Sequence, residues 1–268
     1  MGHVGIALVP TSVINKGASR RVLKKAGFLT RPASAATIPE VAKGPLCLGT
    51  RRSVGQGRSK QRDEALEEAM EKPADTQYPI HDLLRRRWSP RAFDDRFIEP
   101  EKLRSLFEAA RWAPSSNNEQ PWRFLVATKE NTIEHDLLFN CLVEGNQKWA
   151  HRAPALLLSV AKLQFEDGSP NRHAFHDTGM AVENLIVQAT AFGLVAHQMA
   201  GFRIEQARTD CKIPAEYEPV AMIAVGYPGD SAQLSDRLRA REVQPRVRNP
   251  LTEFVYSAIW AQPSPLIR

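Results

Sequence analysis

The chain has 268 residues, 43% hydrophobic and 25% charged, a balance near the globular average and long enough for a sizeable core. No apolar run is long enough to span a bilayer, so a soluble protein without a membrane partner is expected. The net charge of +6 does not point to nucleic acid: residues 1–60 hold 11 of the 36 Lys and Arg with a single acid, Glu40, and leave the rest of the chain net acidic.

Residues 1–75 are rich in Arg, Lys, Ser, Ala and Gly, poor in acids before Asp63, and without sustained periodicity. Three readings of this segment stand open: a targeting peptide, a disordered tail, or a translated stretch upstream of the true start. Residues 63–72 predict a short acidic helix before Pro73. Cys47, Cys141 and Cys211 are far apart in sequence and form no C-x-x-C, which predicts three reduced thiols. The expected location is the cytoplasm, or an organelle if the first segment is a transit peptide.

The patterned body spans residues 76–268. Residues 100–114 predict a helix, with Leu103, Leu106, Phe107 and Ala110 on one face, Pro100 in the first turn and Pro114 forbidding continuation. Residues 123–128 and 155–161 predict strands, the second apolar enough to be buried on both faces. Residues 177–193 predict the strongest helix, capped by Asp177, striped by Val182, Leu185, Ile186 and Ala189, and closed by Gly193. A third strand is expected over 219–228, a long exposed connection over 229–250 and a terminal helix over 251–260. Helices and strands mix without a repeating βα rhythm, which predicts an α+β fold.

No G-x-G-x-x-G follows a predicted strand, and neither G-x-x-x-x-G-K-[ST] nor G-x-S-x-G occurs. His173 and His176, followed by Asp177, lie in a loop leading into a helix and lack the H-E-x-x-H pattern, so no metal site is expected. Three stretches remain. RRRWSPRAF, residues 85–93, reads as a solvated basic turn or as an anion site. Pro90 keeps Ser89 out of helix, and in an extended chain Arg87, Ser89 and Arg91 point to one side, where two guanidiniums and a hydroxyl suit a phosphate. APSSNNEQPW, residues 113–122, reads as a polar loop or as a set of donors and acceptors able to read the edge of a planar heterocycle. GLVAHQMAGF, residues 193–202, reads as a tight turn or as a place where Ala200 and Gly201 let a flat ligand approach the backbone.

In this order, the stretches resemble the nitroreductase family of FMN-dependent oxidoreductases. R-x-S-x-R-x-F covers Arg87 to Phe93, P-S-S-x-N-x-Q-P-W-x-F covers Pro114 to Phe124, D-x-G-x-A-x-x-N-L covers Asp177 to Leu185, and R-x-P-L covers Arg248 to Leu251. The resemblance implies a central, mostly antiparallel sheet flanked by helices, in a homodimer with FMN at the subunit interface. It implies that Arg87, Ser89 and Arg91 hold the phosphate and ribityl chain, with Arg248 a further phosphate contact. Asn118 and Gln120 become flavin-edge ligands, and Ala200 and Gly201 the turn beside N5. Arg85 and Arg86 match nothing and read as surface charge.

The implied reaction carries a hydride from NADH or NADPH through FMN to a nitroaromatic, quinone or similar small acceptor. No protein acid or base is required, since the reactive atom is the flavin N5; His197 is a catalytic candidate by position and equally a structural histidine. The run His197-Gln198-Met199 stands where the best-known members often carry a glutamate beside the glycine. That points to another branch, closer to members acting as flavin reductases. Two alternatives therefore accompany the main expectation: a reductase releasing reduced FMN to a partner, and a flavin-binding module with little turnover.

Overall fold

The runs ALLLSVA and VAMIAVG carry no charged residue and suit strands covered on both sides. In the computed structural model, which describes residues 72–267, they form the two central strands of a four-stranded sheet. The readings of the N-terminal tail and of the acidic helix lie outside the described residues, apart from the last few positions. The strands are β1 (Trp122–Thr128), β2 (Ala155–Lys162), β3 (Val195–Met199) and β4 (Tyr217–Gly226), in the order β1-β2-β4-β3 with every neighbouring pair antiparallel. The α+β expectation is met.

Seven α-helices are found among the described residues: α1 (Asp82–Arg86), α2 (Pro100–Arg111), α3 (Thr132–Cys141), α4 (Glu144–Ala150), α5 (Ala174–Ala191), α6 (Ile204–Asp210) and α7 (Asp236–Val243). One sheet face presents Leu157, Ile223 and Val225 to Leu106 of α2 and to Leu185 and Ile186 of α5. The other presents Leu156, Leu158, Met222 and Ala224 to Leu138, Trp149 and Ala207 of α3, α4 and α6. Successive strand residues thus go to different cores, as the period of two demands. Each fully buried leucine contributes roughly 1.5–3 kcal/mol.

Several expected boundaries move. Helix α5 begins at Ala174, so Asp177 lies inside its first turn and does not cap it. The carboxylate serves tertiary structure instead, accepting the Ser116 N–H at 2.9 Å. Gly193 does close the helix: its φ is +69°, and Leu194 N–H reaches back to the Ala189 carbonyl at 2.9 Å. Residues 229–250 are not a plain connection, since they contain α7 and the buried Glu242. The terminal helix is absent: a single 3-10 turn, Leu251–Glu253, is followed by turns and a bridge from Tyr256 to Pro263. Phe254, Ile259 and Trp260 stay exposed there, so no packed face supports a helix that short.

Candidate functional site

Helix α1 ends at Arg86, and its two surface arginines, Arg85 and Arg86, pair with Asp82 one turn back. Pro90 keeps the chain from continuing as helix, and the backbone leaves α1 at Arg87 with φ −56° and ψ 123°. Arg87 Nη1 lies 3.3 Å from Ser89 Oγ, so these two side chains converge as the alternation predicts. Arg91 departs from that pattern. Its guanidinium lies 3.6 Å from Glu242, whose side chain is 3% exposed.

Two ties hold the backbone between them. His197 Nδ1 donates to the Pro90 carbonyl at 2.8 Å, and Glu242 Oε1 accepts the N–H groups of Arg91 and Ala92 at 2.6 and 3.1 Å. Period two along β3 puts His197 on the face shared by Val195 and Met199, where it meets Trp149 with ring centroids 4.6 Å apart. Burial pushes the imidazole down to about 4, and the nearby Arg91 adds to this; the carbonyls of Pro90 and Ser89 oppose it. At neutral pH His197 is therefore an uncharged donor, occupied with the Pro90 carbonyl.

The C-terminal segment brings more positive charge. Arg246 Nη1 donates to the carbonyls of Lys72 and Arg85 at 2.7 and 2.8 Å. Its guanidinium is destabilised by burial and by the neighbouring charges of Arg87 and Arg248. Lys72 is held below the usual lysine range, first by burial and then by Arg246 and Arg91, against the pull of Glu242. Among the described residues, no carboxylate lies within ion-pair distance of Arg87, Arg246 or Arg248; their bonds run to the Ser89 hydroxyl and to main-chain carbonyls. Cations crowded together without a matching acid are suited to an anion.

The polar loop after α2 is strained. Asn117, Asn118 and Gln120 have φ of 53°, 57° and 51°, the left-handed region that side chains disfavour. Bonds from Gln120 N–H to Ser115 Oγ and from Ser116 N–H to Asp177 hold this shape. The Asn118 side chain is exposed, and the Gln120 carboxamide touches only the Asn118 carbonyl. Such backbone persists only where surrounding bonds over-determine it, as these two do.

At the end of β3, the Gly201 carbonyl accepts from Asn146 Nδ2 at 3.0 Å and from Val143 N–H at 3.1 Å, while no described residue accepts from the Gly201 N–H. A Cβ here would lie 2.8 Å from Asn146 Nδ2 and 3.0 Å from Val143 Cγ2, so a side chain at Gly201 would have to push these neighbours aside. No positive φ is involved. Ala200 is exposed beside it. His173 and His176, by contrast, stay at the entrance to α5, His176 Nδ1 lying 3.2 Å from Asp177.

A model of the nitroreductase family matches residues 84–227 of this chain. The chain belongs to the nitroreductase family. Among curated relatives, the protein DrgA of Synechocystis sp. is 30% identical over 178 residues, covering 54% of this chain and 82% of its own. A 15.4 kDa protein "in ask 5'region" of Mycolicibacterium smegmatis is 34% identical over 122 residues, covering 46% and 82%. The solved structure of an oxidoreductase containing FMN superposes with a TM-score of 0.67 at 35% identity, covering 70% of this chain and 96% of its own. The family match ends at Tyr227, so Glu242, Arg246 and Arg248 lie beyond it.

Four members of the candidate site lay outside the motifs legible in the sequence. Arg246 stands two residues before Arg248, a spacing that places both on one side of an extended chain. Glu242 is the one acid among five arginines between residues 237 and 248, a pattern that suggests an ion pair. Lys72 and Asn146 carry no such signal, because they reach the site only through tertiary packing.

Proposed function

We propose that this nitroreductase-family chain binds FMN and passes a hydride equivalent from NADH or NADPH to a small acceptor such as a nitroaromatic or a quinone. The observation that carries the reading is the group of guanidiniums at Arg87, Arg246 and Arg248, crowded and unmatched by any described carboxylate. That donor set fits a phosphate, and the FMN-containing structural relative supports the same assignment. Arg87, Arg246 and Arg248 would neutralise the phosphate, with Ser89 donating its hydroxyl there or to the ribityl chain. The Arg91 guanidinium is matched by Glu242 and leaves the phosphate to the other three arginines. Asn118 and Gln120 offer carboxamides for the polar edge of the ring, and the Gly201 N–H is the free donor assigned to N5.

When bound, FMN supplies two-electron chemistry that no side chain here possesses. The protein contributes charge, orientation and a rigid turn. His197, neutral and engaged by Pro90, acts as a support, and we assign it no proton transfer. We further propose a homodimer, supported by the exposed Phe254, Ile259, Trp260 and Leu266 of the C-terminal segment. The domain division rests on composition: a basic segment to residue 75 and an FMN-binding unit over 76–268.

Purified full-length protein tests the reading. A yellow protein is expected, sedimenting as a dimer, bleached anaerobically by NADH or NADPH and recoloured by a quinone. A protein that neither retains nor turns over FMN would overturn it.

A further inference from the structure

We infer that Glu242 is a positioning residue of this site, one that shapes the chain's preference for a phosphorylated flavin. The inference rests on the FMN reading above. Glu242 sits on α7, about 150 residues from the segment it holds, and beyond the residues matched by the family model. Its carboxylate is taken almost wholly out of water, a costly state unless the charge is matched. Matching comes from one stretch of chain: Oε1 takes two successive N–H groups, from Arg91 and Ala92, and Oε2 faces the Arg91 guanidinium.

The main chain of α7 joins in, since Lys72 Nζ donates to the Glu242 carbonyl. Arg246, four residues further on, then bonds the carbonyls of Lys72 and Arg85. Segment 85–92 is thereby fastened at both ends by a single C-terminal stretch. His197 fastens it in the middle, at the Pro90 carbonyl. The side chains left over, Arg87 and Ser89, are those that face the anion site. Glu242 needs no contact with a ligand to do this. It fixes the backbone on which the cradle is carried, and it draws one of the segment's guanidiniums away to itself.

The test uses full-length protein stripped of flavin, with quenching of FMN and of riboflavin fluorescence read separately. Riboflavin has the same ring and ribityl chain but no phosphate. In Glu242→Ala the ratio of FMN to riboflavin affinity is expected to fall about tenfold or more, as when a charge-assisted contact is lost. Glu242→Gln keeps an oxygen for the two N–H groups and is expected to stay within about threefold of the parent. If Glu242→Ala does not fold, Glu242→Asp, one methylene short of the tether, carries the same expected loss. An equal loss for both flavins would mean that Glu242 only supports the fold, and an unchanged ratio would likewise overturn the inference. A loss in Glu242→Gln as large as in Glu242→Ala would sink the amide tether. A parent that binds the two flavins equally would overturn the phosphate reading itself, and this inference with it. A parent that prefers FMN, with a Glu242→Ala that keeps the preference, would overturn this inference alone.

Discussion

Arg87 and Arg248 make few bonds within the protein, so removing either costs the fold little while removing an anion partner. Arg87→Ala and Arg248→Ala are expected to weaken FMN by roughly ten- to a hundredfold, the equivalent of about 1.5–3 kcal/mol, with riboflavin much less affected. Flavin fluorescence titrations check this; parallel losses for both ligands would show that the arginines only support structure. His197 belongs to stability. Its folded value near 4 lies below the ordinary 6.5, so as pH falls the unfolded chain takes up the proton first. Its contribution is complete above pH 6.5 and is lost as pH drops toward 4, to a total on the order of 3 kcal/mol. His197→Gln, which keeps a donor for the Pro90 carbonyl, is expected to lack this part of the acid sensitivity. Urea midpoints of parent and variant at pH 7, 5.5 and 4.5 give the comparison, and identical pH slopes would count against a buried neutral imidazole.

Among elements, the loop from Ser115 to Gln120 and the turn at Ala200-Gly201 store different constraints. In the loop the cost is conformational. Gln120→Gly is expected to gain about 0.5–1 kcal/mol in stability, the relief of a left-handed residue less the entropy cost of glycine, while retaining flavin less well. Denaturation curves and bound-flavin absorbance measure both, and a variant equally stable but no looser in cofactor would remove the loop from the site. In the turn the constraint is steric. Gly201→Val is expected to displace Asn146 and Val143, to weaken FMN retention and to slow reduction by NAD(P)H, leaving helical content unchanged. Asn146→Ala in the same chain opens space against the Cβ, so partial recovery is expected in the double variant. A Gly201→Val protein reduced at the parent rate would place the turn away from the reacting ring.

For the whole molecule, residues 1–71 are basic and lack the apolar periodicity that would join a core. A chain lacking residues 1–71 is therefore expected to stay soluble and to bind FMN like the parent. Lys72 must be kept, because it bonds the Glu242 main chain and lies 4.8 Å over the Trp88 ring. Loss of flavin or of solubility on truncation would give the basic segment a part in the site.

The α+β class, α2, the three longest strands and the body of α5 were legible in the sequence, because each carries its own periodicity or a stop such as Pro114 or Gly193. Arg87, Ser89, Asn118, Gly201 and Arg248 became candidates in the sequence because their motifs are local and resemble the family's, and their roles stand as proposals. Helices α3, α4, α6 and α7 were not read, since short segments owe their helicity to packing more than to propensity. Asp177 looked like a cap because local bonding is all that a sequence displays; its partner, Ser116, is 61 positions away. Only the tertiary structure decided that Arg91 faces Glu242, that His197 is spent on Pro90, and that Arg246 lies beside Arg87. Each of these joins groups more than 100 residues apart, and a contact at that separation leaves no periodicity in a single chain from which to infer it.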